Sequence, residues 1–246
     1  MKATMLTGFV IFIFLGLSKS QASSLKSHYK FASIEHLIEQ KVGSIVLQKI
    51  YSNIFISMQI TAQPANRAQL SAVSGTKDGE VLRIWQYGEE NPSLIRVPTP
   101  YYYLETMPYV LKNSDINITT PEQLKTYFIG KVRGVKHTNV ITRGFIRLYN
   151  SASTEDMFNL LNKGRIDIAL TNTLDGDLVL KRMQDKSIMH MAKPLNVLPL
   201  YHYLHPSHYK LSPLVNNEIK RLIQTGDLAI LIEQAEKEVI GKELAK

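Results

Sequence analysis

Short runs rich in β-branched and aromatic residues alternate with helical patterns along most of this chain, and that alternation admits few architectures. A strand that leads into a helix is followed most simply by a second, parallel strand, so repeated units build mainly parallel sheets covered by helices. Residues 29–34 can open such a sheet. Residues 38–51 then place Ile38, Val42, Ile45, Val46, Leu47 and Ile50 on one helical face. Residues 54–60 alternate as a strand, with Ile54, Ile56, Met58 and Ile60 on one side, and residues 66–74 form a short helix closed by Gly75. Two extended segments follow at 94–98 and 101–111, the first bracketed by Pro98 and Pro100.

A second series begins at Thr120, a helix cap with Pro121 at the first helical position and Gln123 three residues beyond the cap. Strands are expected at 128–132 and 145–149. Ser153 and Asp156 then form a capping box ahead of a helix whose buried stripe is Met157, Leu160 and Leu161, and Gly164 stops it. Ile166, Ile168 and Leu170 mark a further strand, with a helix at about 175–184 and a long extended run at 188–203. Helices at 214–225, stopped at Gly226, and about 229–238 close the chain. A restart near Thr120 and a long return segment near 190–203 imply two lobes connected more than once. The binding crevice would then lie between them, at the carboxyl ends of their strands.

Residues 1–22 have the pattern of an export signal: Lys2, an apolar run of about 13 residues from Met5 to Leu17, and small residues at Ser20 and Ala22, with cleavage expected after Ala22. The run is shorter than the roughly 20 residues that span a bilayer. The expected location is therefore the periplasm. Cleavage removes Lys2 and Lys19 and no acid, so the formal charge falls from +8 to +6. The chain has no cysteine, which excludes disulfides and thiol chemistry and leaves stability to apolar packing. Lys112, Lys125, Lys131, Arg133 and Lys136 are scattered among acids and apolar positions, so the basic surplus does not indicate nucleic acid. An anionic solute or a nearby anionic lipid surface accounts for it equally well.

No G-x-S-x-G, H-E-x-x-H or cysteine nucleophile nominates an enzyme. His202, His205 and His208 have a spacing that invites a metal, but Pro206 and the extended pattern around them favour surface or packing roles. Asp167, Asp175 and Asp177 read first as strand and turn residues rather than paired catalytic acids. Arg83, just after Asp78-Gly79-Glu80, offers a fixed fork for a carboxylate; pairing with Asp78 or Glu80 to hold the turn is an equal alternative. Trp85 and the run Tyr101, Tyr102, Tyr103 can line a solute pocket or fill an interlobe core.

At these positions the chain resembles a known family. Residues 69–83 (QLSAVSGTKDGEVLR) and 94–101 (LIRVPTPY) are similar to family 3 bacterial extracellular solute-binding proteins, in a divergent branch described as amino-acid ABC transporter substrate-binding-like. Residues 124–134 (LKTYFIGKVRG) resemble the opening of that family's second lobe, and 157–167 (MFNLLNKGRID) its helix–turn–strand unit; 205–238 resemble its closing helices. The resemblance implies an α/β fold of the periplasmic binding protein type II class, two Rossmann-like lobes around an interlobe cleft. It divides the chain into a signal peptide at 1–22, a first lobe from 23–108 and 196–246, and a second lobe from 109–195.

The resemblance further implies that Arg83 holds a solute carboxylate, that backbone around Lys136, His137 and Thr138 assists, and that Arg67, within Pro64-Ala-Asn-Arg, lines the cleft or, equally, forms a salt bridge beneath it. Where the family commonly places an aspartate for the solute ammonium, this chain has Asn172, which carries no charge. Either another acid such as Asp175 substitutes, or the solute is not an ordinary α-amino acid. The expected function is hinge-closing binding of a small polar solute, anionic or amino-acid-like, by a monomer without metal or cofactor. It would be delivered to an inner-membrane permease or a sensor. The alternatives are an exported hydrolase using the same cleft and an assembly protein that binds no ligand.

Overall fold

The structure, a computed structural model, describes residues 25–133 and 135–245. The expected export signal at 1–22 lies outside the described residues, as do Gly134 and the side chain of Lys136.

The chain opens with β1 (His28–Ile34), α1 (Ile38–Asn53), β2 (Ser57–Gln63), α2 (Ala65–Val73), β3 (Gly79–Ile84), α3 (Trp85–Glu90) and β4 (Ile95–Arg96). The long strand β5 (Tyr102–Leu111) leads through a 3-10 turn (Pro121–Thr126) to β6 (Ile129–Val132), α4 (Lys136–Ile141), β7 (Leu148–Ser151), α5 (Thr154–Asn162), β8 (Ile168–Thr171), α6 (Thr173–Met183) and β9 (Ile188–His190). Strand β10 (Asn196–Leu204), a second 3-10 turn (Pro206–His208), α7 (Leu211–Thr225) and α8 (Asp227–Leu244) complete it.

The strands run in the order β2-β1-β3-β10-β5-β8-β6-β7, with β4 on β10 and β9 on β5. Within each lobe the units that alternate with helices are parallel, β1 with β2 and β3, and β6 with β7 and β8. The two long strands are antiparallel. From Tyr102 to Thr106, β5 pairs with β10, and from Met107 onward it pairs with β8 and β9, so one strand belongs to both lobes.

Each lobe has its own core. In the first, Phe31, Val46, Leu47, Leu82, Val215 and Ile219 are sealed between sheet and helices; in the second, Leu124, Ile129, Phe158, Leu161 and Ile168 are. Helix α6 contributes to both, with Leu178 in the first core and Val179 in the second. That shared helix and the shared strand β5 bring the lobes together at one place, where the candidate site lies.

Local signals set several boundaries. Ser153 caps α5 by accepting the Asp156 N–H at 3.0 Å, and Gln123 closes a capping box with Thr120. Gly226, with φ of 78°, turns α7 into α8. Strand β2 starts later than the alternation implies, because α1 runs to Asn53 and Phe55 takes φ of 59° in the turn beyond it. Strand β7 is likewise displaced toward the C-terminus, to Leu148–Ser151. Helix α6 starts before Asp175 because Asn172, not the later acid, caps it.

Candidate functional site

A cavity of about 400 Å³ opens where the two lobes meet. Helix α1 contributes Glu39, β5 contributes Tyr102, Tyr103, Leu104 and Glu105, α6 contributes Asn172, Thr173, Leu174 and Asp177, and α8 contributes Ile232 and Glu236. Four of these are carboxylates, and no lysine, arginine or histidine is among the lining residues. The sign of the cavity is thus opposite to that of the chain, whose formal charge is +8.

The acids are held by neutral donors. Asn172 caps α6 by accepting the Asp175 N–H on Oδ1 at 2.7 Å, which turns its amide nitrogen toward Glu39; Nδ2 donates to Glu39 Oε2 at 3.3 Å across the lobe boundary. Thr173 donates to Glu105 Oε2 at 2.6 Å, Tyr102 to Glu236 Oε1 at 2.8 Å, and Tyr109 to Asp177 Oδ1 at 3.0 Å. His190 lies 4.0 Å from the other Asp177 oxygen. Asp175, just behind the wall, accepts from Thr154 at 2.6 Å and Thr171 at 3.0 Å.

Crowded carboxylates leaving water shift one another. Burial pushes the Glu39 carboxyl up to about 7; Asp175 adds to that, while a backbone hydrogen bond and the Asn172 amide oppose it. Burial holds the Tyr102 hydroxyl far above its ordinary value, and Glu236, Glu39 and Glu105 add to the effect. Tyr102 therefore stays a donor. The cavity presents negative charge on two lobes, with Leu104, Leu174, Ile232 and tyrosine faces between. Such a surface suits a small solute with a positive group and an apolar body.

Of the residues singled out in the sequence, Tyr102, Tyr103, Asn172 and Asp177 line this cavity. Arg83 does not. Its guanidinium is 2.6 Å from Glu80, donates to the Ala65 carbonyl at 3.0 Å and packs on the Tyr87 ring, so the turn-holding alternative describes it. Arg67 is exposed on α2. Trp85, 43% exposed, donates to Glu89 and lies beneath the Arg96 guanidinium. Tyr101 is fully buried, its hydroxyl donating to the Val81 carbonyl at 2.9 Å and that of Gly43 at 3.2 Å. His137, bonded to Thr106 at 2.8 Å, and Thr138 are buried at the start of α4.

His202 is buried against Tyr51, at 2.9 Å, and the Glu80 carbonyl, at 2.7 Å. His208 pairs with Asp78 at 2.6 Å, and Asp78 also accepts from Lys26 and the Lys30 N–H. Asp167 accepts from the Phe128 N–H at 2.7 Å. Among the described residues no group of three His, Asp or Glu side chains can hold a metal ion, and no helix is long and apolar enough to cross a membrane.

Glu39, Glu105, Asp177 and Glu236 carry the site, and of these sequence reasoning reached only Asp177, as a turn residue. The one available signal was the uncharged Asn172, which called for another acid nearby.

No protein-family model matches the chain. A protein of Shewanella oneidensis described as uncharacterized is 28% identical over 170 residues, 66% of this chain and 64% of that relative's length. Solved structures match almost the whole fold at low identity. A histidine kinase sensor domain with similarity to periplasmic binding proteins is 14% identical with a TM-score of 0.65, covering 84% of this chain and 95% of its own. The GluR0 ligand-binding core in complex with L-glutamate is 11% identical with a TM-score of 0.69, covering 86% and 98%. An ancestral arginine-binding protein bound to arginine is 13% identical with a TM-score of 0.63, covering 86% and 99%. The chain has the two-lobed α/β architecture of the periplasmic binding proteins.

Proposed function

We propose that this protein binds a small organic cation, an amine or guanidinium, in the cavity between its lobes. The observation that carries this reading is the lining: four carboxylates from both lobes and the connecting strand, held by neutral hydrogen-bond donors. A cation entering there would gain from all four, and burial around Glu39 strengthens that interaction. An anion would be repelled, so the anionic solute implied by Arg83 and Arg67 gives way. A zwitterionic amino acid would need a fixed cation for its carboxylate, and no lining residue supplies one.

The lobes are taken as 23–108 with 196–246, and 109–195, on the support of β5 changing partners between Thr106 and Met107 and of β10 starting at Asn196. Closure of one on the other desolvates the solute and creates a surface that a membrane permease or sensor can read. An exported, periplasmic location completes the reading. The likeness in fold to an arginine-bound protein and to a sensor domain is compatible with either partner.

Calorimetric titration of the protein from residue 23 onward with 1,4-diaminobutane, methylguanidine, L-arginine, L-glutamate and citrate tests the reading. Binding of the two carboxylate-free cations is expected. Preference for glutamate or citrate would overturn it.

A further inference from the structure

We propose that Glu39 selects the cation in this cavity, and that Asn172 is the positioning residue that holds the Glu39 carboxylate in place across the lobe boundary. This inference rests on the reading that the interlobe cavity binds solute.

The Asn172 amide is engaged on both its oxygen and its nitrogen. Oδ1 accepts the Asp175 N–H at 2.7 Å, and the same planar amide sends Nδ2 to Glu39 at 3.3 Å. The cap therefore fixes the rotamer, and the rotamer fixes the donor. Glu39 belongs to the first turn of α1, on the first lobe, whereas Asn172 begins α6, on the second. The contact joins the two lobes, so it places the Glu39 carboxyl where they meet.

The groups facing Glu39 make it the acid most responsive to a guest. Asp175 and Asp177 face it from α6, Tyr102 and Glu105 from β5, and Glu236 from α8; the nearby cation of its own helix, Lys41, is engaged with Glu243 at 2.6 Å. With its carboxyl pushed up to about 7 by burial and neighbouring acids, Glu39 is partly protonated at neutral pH in the unliganded protein. A bound cation favours the carboxylate and expels that proton. Cation binding near pH 7 is thereby coupled to release of up to about half a proton per solute.

The test is calorimetry of 1,4-diaminobutane and methylguanidine binding at pH 7 in two buffers of different ionisation enthalpy, repeated from pH 6 to 9. The wild type is expected to release up to about half a proton at pH 7, more at pH 6 and almost none at pH 9. Glu39→Gln is expected to bind at least tenfold more weakly and release none. Asn172→Ser keeps a helix cap but cannot reach Glu39, so its release profile is expected to move to higher pH.

Cation binding by Glu39→Gln within twofold of wild type would overturn the inference and leave the proposed function standing. Wild-type binding without proton release would do the same, and needs no variant to fold. An unmoved profile in Asn172→Ser would remove the positioning role. Failure of the wild type to bind either cation would overturn the proposed function itself, and this inference with it.

Discussion

The guanidinium of Arg83 lies 2.6 Å from the carboxylate of Glu80, a residue with 1% of its surface exposed. Tyr87 donates to the second Glu80 oxygen, and its ring packs 4.6 Å from the Arg83 guanidinium carbon. Truncating one partner of a buried ion pair strands the other, at a cost of about 3–5 kcal/mol. Arg83→Ala is therefore expected to lower unfolding free energy by about that amount in urea titration, while the folded fraction keeps its solute affinity. A variant of normal stability that no longer binds solute would return Arg83 to a recognition role.

Stability should rise from pH 5 to about 7 and then level off. Burial lowers His137 and His202 from 6.5 to about 4, and lowers His208 in the same direction. The unfolded chain takes up those protons first, so the histidines' contribution is present above pH 6.5 and lost as pH falls toward 4. Glu39 acts oppositely. Its raised value favours the folded state below 4.5, and that contribution is lost as pH rises through about 7. Between about pH 5 and 6.5 the histidines outnumber the one raised carboxyl, and the lowered acids Asp78, Asp185 and Glu218 act only at lower pH. Urea unfolding is expected to show stability rising from pH 5 to 6.5 and then staying level to pH 8 within about 0.5 kcal/mol, whereas Glu39→Gln should go on rising by about 1 kcal/mol to pH 8; a variant that levels off as the wild type does would contradict the Glu39 assignment.

Glu39→Gln should stabilise the unliganded protein in alkali. It removes a carboxylate that folding places among other acids, and the gain approaches about 3 kcal/mol above pH 8 and vanishes below pH 4.5. Thermal melts of the two proteins at pH 4 and pH 8.5 check the crossover. A lower melting temperature for the variant at pH 8.5 would contradict it.

The fold was more legible in the sequence than the site. Caps and stops are local chemistry, so Thr120, Ser153, Gly164 and Gly226 could be read directly, and α/β alternation followed from periodicity. The long run at 188–203 read as one extended stretch, yet it is two strands, because β9 and β10 pair with opposite halves of β5. The site was mostly hidden. Glu39 and Glu236 lie near opposite ends of the chain and look like ordinary solvent-facing acids of amphipathic helices; only the packing of α1 beside α8 brings them together. Arg83 was ambiguous for the converse reason: local sequence shows a cation near two acids, but not which of them the strand will bury beside it.

Gly176 and Gly241 offer a contrast within helices. A Cβ on Gly176 would stand 2.3 Å from the Tyr109 ring, which anchors Thr173 and Asp177 at the cavity; one on Gly241 meets nothing within 4 Å. Gly176→Ala is expected to destabilise by about 1–3 kcal/mol and to weaken solute binding. Gly241→Ala is expected to stabilise by about 0.5–1 kcal/mol. Denaturant titration of both separates packing from helix propensity, and equal effects would contradict the Tyr109 contact.

The cavity itself is tested most directly by filling it. Leu174 lines it on the first turn of α6, so Leu174→Trp should occupy solute volume while adding apolar contact. Calorimetric titration with 1,4-diaminobutane is expected to show binding to the wild type and at least a tenfold loss in Leu174→Trp at unchanged melting temperature. Equal affinity in the two proteins would place the solute elsewhere and contradict the account.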